Sequence, residues 1–276
     1  MKYLFLTLQY LFRLDSGKRF LALLLIALPP CILLAYFFPI TGYFEWFFNY
    51  SGDYGSYSAL WLSLAQRDSL GLGFLVLGYI LLVLSVSAIT TAVARSVRIG
   101  KFQLKNFLYL INENFFPSFY TITFFIIALM VAQSLIGLFL FLWQSLPTLT
   151  ASFVVSIIFV LISLLLLVWA YSGLALWLPI MSINGLKPHK AIAASYSKTH
   201  NQRRELLISY IIIVAGIVLI GFISYLFGDV WYISWIINTL NYAIATVFFV
   251  VLSILSYFDI EGITREDLVK RPYLRR

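Results

Sequence analysis

Residues 114–186 contain no Asp, Glu, Lys, Arg or His. A water-soluble fold cannot easily hide so long an unbroken apolar stretch, whereas a lipid bilayer is crossed by about 20 apolar residues. The stretch therefore reads as two membrane spans joined by a turn around residues 143–150. Shorter uncharged runs lie between Arg19 and Glu45, Asp68 and Arg95, Glu205 and Asp229, and Asp229 and Asp259. Only 11% of the chain is charged, against about 25% in soluble domains, so these runs are the rule here. The reading is an all-α polytopic membrane protein with six transmembrane helices, at about 20–38, 70–94, 117–141, 152–180, 206–227 and 231–257. They form a single domain, 1–258, followed by a short basic tail, 259–276. The first span begins only after Arg19, carries Pro29 and Pro30 near its centre and lacks a small-x-small exit, so a retained span is expected rather than a cleaved leader. Cys31 is the sole cysteine, which excludes an intrachain disulfide.

The charges sort by loop. Of the 19 lysines and arginines, all but Arg67 fall before span one, between spans two and three, between spans four and five, or in the tail. Basic residues in short loops stay on the cytoplasmic side. Both termini are therefore expected on the cytoplasmic side. Cations within a few turns of span ends meet anionic lipid headgroups, which attract each by ~1 kcal/mol. With no base-stacking module beside them, the formal charge of +8 implies lipid contact and not nucleic acid.

A threefold pattern underlies the basic segments. Leu4, Leu8, Leu11 and Phe12 share a helical face before span one. Leu104, Phe107, Leu108, Ile111 and Phe115 do so before span three, and Ile192, Tyr196 and Thr199 before span five, after a Pro188 suited to a first helical turn. Each segment reads as an interfacial helix leading into a hairpin of spans. The expected unit is one such helix plus two spans, used three times, with Asp15, Asn112 and His200 at comparable places.

Chemistry is sparse. No span holds an Asp, Glu, Lys, Arg or His, which argues against a proton relay. Thr90, Thr91, Gln133, Ser134, Ser156, Ser163, Asn238, Thr239 and Asn241 remain, and interhelical hydrogen bonding accounts for such residues. A polar pocket at Asn238 and Asn241 is the sharper alternative. His189 and His200 are too far apart in sequence for the i, i+4 spacing of a helical zinc site. There is no G-x-S-x-G and no G-K-[ST], so no catalytic, cofactor or metal residues are assigned and no enzyme is expected. Gly71 and Gly78 fit close helix packing. The loop between spans one and two, rich in Tyr, Phe and Trp, reads as an aromatic flap at the opposite membrane surface. Lys187, Lys190, Arg203 and Arg204 are the candidate contacts for lipid or a partner protein, a second copy of the chain included.

The segment "WLPIMSINGLKPHKAIAASYSKTHNQRRELLISYIII" and the closing "LSYFDIEGITREDL" resemble a six-span bacterial inner-membrane family that includes the membrane domain of glycerophosphoryl diester phosphodiesterases. Gly185, Pro188, Ala191, Ile192 and Ser195 stand near that family's G-x-x-P-x-x-A-I-x-x-S positions, with spacing that departs by a residue, and Tyr257, Asp259 and Glu261 near its exit motif. The resemblance implies the membrane fold and no catalytic residue, because the phosphodiester chemistry of those proteins belongs to a separate soluble domain. The expected function is a non-enzymatic membrane module that binds lipids or a partner through its basic helices. The alternative is a transporter or flippase-like carrier of a lipid or small amphipathic solute.

Overall fold

The computed structural model describes residues 1–15, 17–37, 44, 70–102, 107–143, 149–228, 230–263 and 265. All regular structure among them is helical. Helix α1 (Lys2–Leu8) runs into a π-helical turn, Gln9–Arg13, and is followed by α2 (Lys18–Phe37) and α3 (Leu70–Ile99). Next come α4 (Phe107–Glu113), α5 (Phe115–Trp143), α6 (Leu149–Leu174) and α7 (Trp177–Asn184). The chain closes with α8 (Pro188–Thr199), α9 (Arg203–Leu226) and α10 (Trp231–Ile260). Six helical stretches among the described residues are long and apolar enough to cross a membrane.

The three expected units are present, and they close on themselves. Short helices α1, α4 and α8 precede spans one, three and five. The spans pack in a ring: α2 on α3, α3 on α5, α5 on α6, α6 on α9, α9 on α10, and α10 back on α2. Each short helix packs on the second span of the preceding unit, α4 on α3, α8 on α6 and α7, and α1 on α10. The second spans also meet at the centre, where α3, α7 and α10 touch pairwise. Val86, Val93, Leu176, Ile180, Val247 and Ile254 form the core of that junction. These second spans each stop at a left-handed glycine, Gly100, Gly185 and Gly262, a backbone state that other residues enter only with strain.

Two helix breakers explain the irregular spans. A proline cannot donate to the carbonyl four residues before it. Pro30 thus frees the Ile26 carbonyl, and Ser85 of α3 donates its hydroxyl to that oxygen at 2.8 Å. Span four, expected as one helix over 152–180, is instead broken at Ala175–Leu176. The cause is Pro179, which cannot bond Ala175 and is tolerated only in the first turn of a new helix, α7. Ser253 of α10 donates to the freed Ala175 carbonyl. In lipid such backbone groups must be satisfied by protein, and the Ile26 and Ala175 carbonyls are.

Asp15, Asn112 and His200 each stand three residues before the helix of the following span, which starts at Lys18, Phe115 and Arg203, and all three are exposed. The turn between α4 and α5 falls on buried Asn114.

Candidate functional site

The end of the bundle that carries α1, α4 and α8 is where the charges gather. Four carboxylates there are used within the chain. Lys2 pairs with Asp259 at 2.6 Å, Arg95 with Glu113 at 2.9 Å, Arg19 with Asp15, and Lys198 with Glu261. The terminal turn of α10 thereby grips α1 through Asp259 and α8 through Glu261, and Tyr257 donates to Asn184 of α7. Tyr257, Asp259 and Glu261, singled out by the closing sequence, act as three separate fasteners.

Of the four basic candidates, Lys187, Lys190 and Arg204 are exposed and make no ion pair among the described residues. Arg203 is different. Its guanidinium lies 4.0 Å from the Trp169 ring centroid and 5.6 Å from that of Tyr196, and it donates to the Trp169 carbonyl at 3.1 Å. It stitches α9 to α6 and α8, a role that stacking and a planar donor fork suit and lysine would not. Lys18 and Lys101 are also exposed and unpaired among the described residues, so the free cations extend beyond α8 and α9. Lys105 and the tail beyond residue 265 lie outside the described residues, as does most of the aromatic loop. Phe44 is the described part of that loop, with its ring 5.7 Å from Phe222 near the far end of α9.

Helix α8 also holds the broken span together. Ser195 accepts from the Leu176 amide at 3.2 Å and donates to the Gly173 carbonyl at 2.8 Å. The Trp177 indole donates to the Pro188 carbonyl at 3.1 Å. Gly173 lies against the Tyr196 ring so closely that a Cβ would come within 2.4 Å of it. Serine at 195, part of the motif that carried the family resemblance, thus has a structural task at the break.

A second cluster escaped the sequence reading. Arg19 is only 3% exposed, its guanidinium over the Tyr10 ring at 4.9 Å, and the Tyr10 hydroxyl is bonded to Ser96 of α3. The π-helical turn beside it and the left-handed backbone of Asp15, at φ 76°, are forms that cluster at strained or functional positions. The one readable signal was "RLDSGKR", turn-forming residues flanked by Arg13 on one side and Lys18 and Arg19 on the other. Nearby Tyr3 is held above its ordinary titration range, first by burial and then by the carboxylates of Asp259 and Glu205.

In the membrane, Asn238 and Asn241 are both buried, at 0% and 1% exposure. Asn241 donates its amide to the Ile217 carbonyl at 2.9 Å, and Asn238 reaches Ser234 at 3.5 Å. Thr91 accepts from Asn114 at 2.7 Å. Gly78 packs against Leu33 and Leu34 of α2. His189 and His200 are exposed on α8 and the turn after it. Among the described residues no three side chains of His, Cys, Asp or Glu come together.

No family model, no curated protein and no solved structure matches the chain.

Proposed function

We propose that the chain is a non-enzymatic module of a bacterial inner membrane, with both termini cytoplasmic, that holds anionic lipid headgroups or an acidic partner protein on its basic end. One observation carries the reading. Asp15, Glu113, Asp259 and Glu261 are each engaged by a cation of the chain, while Lys18, Lys101, Lys187, Lys190 and Arg204 stay exposed without an acidic partner among the described residues. Those charges are best neutralised from outside the fold. Phospholipid headgroups are the nearest anions to span ends, and each contact is worth ~1 kcal/mol. The resemblance of the α7–α9 segment to the membrane domain of glycerophosphoryl diester phosphodiesterases fits a module without chemistry of its own.

The test is native mass spectrometry of the protein extracted directly into nanodiscs, wild type against Lys187→Gln/Lys190→Gln/Arg204→Gln. At ~1 kcal/mol each, the triple variant should lose about a hundredfold in affinity for anionic lipid, or release a stoichiometric acidic partner, with zwitterionic lipid unaffected. Unchanged retention in a correctly inserted variant would overturn the proposal. Inverted insertion would show that these charges serve topology alone.

A further inference from the structure

We propose that one internal water molecule is bound between α9 and α10 in the half of the membrane away from the basic end, held by the side-chain oxygens of Asn238 and Asn241. Ser224 donates its one hydroxyl proton to the Ser234 carbonyl at 3.0 Å. The contact between the two serine hydroxyls, also 3.0 Å, must then run from Ser234 to Ser224. Asn238 donates its amide toward the Ser234 hydroxyl, and Asn241 donates to the Ile217 carbonyl. Both serine protons are spent, and the adjacent Thr239 hydroxyl reaches neither asparagine. The Oδ1 atoms of Asn238 and Asn241 are left buried with nothing donating to them.

Position makes two unbonded oxygens expensive. Asn238 and Asn241 lie about 10 and 15 Å along the helix from Trp231, inside hydrocarbon, where unsatisfied polar groups are costly. Three residues apart, they are neighbours on one face of α10, so a single small guest can reach both oxygens.

The facing helix places its smallest residue there. Asn241 bonds at Ile217 and Ser234 at Ser224, which fixes the antiparallel register and brings buried Gly221 opposite Asn238. Ile217, Gly221 and Ser224 share one face of α9 by helical spacing, and at the middle level that face has no side chain. The guest must give two protons to two neutral oxygens. Water does so, and buried waters commonly satisfy such groups with about three bonds. A bare cation would surrender its hydration for two carbonyl oxygens with no carboxylate in either helix's membrane stretch, a poor exchange.

A crystal structure of the full chain grown from a lipidic mesophase tests this, paired with melting of the nanodisc-embedded protein in sodium chloride and in N-methylglucamine chloride. Density within about 2.7–3.2 Å of both oxygens, with melting indifferent to the cation, supports the water. Asn238→Leu and, independently, Gly221→Ala should each remove that density while the bundle remains folded. Sodium-dependent melting that Asn238→Leu abolishes would overturn the water in favour of a bound ion. Two oxygens bonded directly to protein donors, with no density between them, would overturn the site altogether.

Discussion

The Tyr257 hydroxyl donates to Asn184 Oδ1 at 2.7 Å, fastening the last turns of α10 to the last residue of α7. Asp259 and Glu261, just beyond on the same helix end, hold Lys2 and Lys198. The terminal turn of α10 therefore ties together α1, α7 and α8 at the basic end of the bundle.

Tyr257→Phe should destabilise the bundle by about 1 kcal/mol, the net worth of a typical internal hydrogen bond, because exposed Asn184 can turn to water. Asn184→Ala should cost a similar amount. The double variant should lose little more than either single one, as a double-mutant cycle for a shared bond requires. Equilibrium unfolding in nanodiscs measures all three, and full additivity would show that the bond contributes nothing.

Tyr3 gives the fold an alkaline limit. Its hydroxyl titrates higher in the folded chain than in the unfolded one, chiefly through burial. A raised folded value means that the unfolded chain loses the proton first. The contribution is complete below the ordinary tyrosine value of about 10 and declines as pH rises above it. Tyr3→Phe should flatten the fall in melting temperature above about pH 10 and leave it unchanged at pH 7. A fall of equal steepness in both proteins would remove Tyr3 as its source.

Span count, charge sorting and the three short helices were readable in the sequence because they depend on long-range averages of hydropathy and charge, which tertiary packing does not overrule. What depended on single residues was harder. Pro179 marked the break in span four, but Pro29 and Pro30 sit inside a span that stays helical, so proline alone does not decide; the rescue by Ser253 and Ser195 lies in distant segments. Arg203 looked like its neighbour Arg204 until Trp169 was placed beneath it. Gly100, Gly185 and Gly262 follow the second spans in each unit and offered the cleanest repeat signal, visible once helix ends were known. The candidate site divided the same way: exposure of Lys187 and Lys190 followed from composition, while closure over Asn238 and Asn241 depended on the pairing of α9 with α10.

Gly173 should tolerate no side chain. A Cβ there would lie 2.4 Å from one ring carbon of Tyr196 and 2.9 Å from another, and overpacking of this kind costs about 1–3 kcal/mol. Gly173→Ala should lower the melting temperature, and adding Tyr196→Ala should recover part of the loss by removing the ring. Without such recovery, the strain must arise in the backbone of α6 and not against α8.

Ser195 is the strongest single test of how α8 governs span four. Its hydroxyl is the acceptor for the Leu176 amide and the donor to the Gly173 carbonyl, and residues 172–181 around the break are buried. Ser195→Ala leaves that amide without a partner, at a cost of about 1–3 kcal/mol. Local opening of the break should then become some ten- to hundredfold more frequent, since each 1.4 kcal/mol is about tenfold. Hydrogen–deuterium exchange in nanodiscs reads this directly. The amides of 173–178 should exchange faster, whereas those at the centre of α10 should not change. Ser197→Ala, at an exposed position on the same helix, should leave both regions as in the wild type. Equal acceleration throughout the bundle would mean that Ser195 supports global stability and does not act on the break.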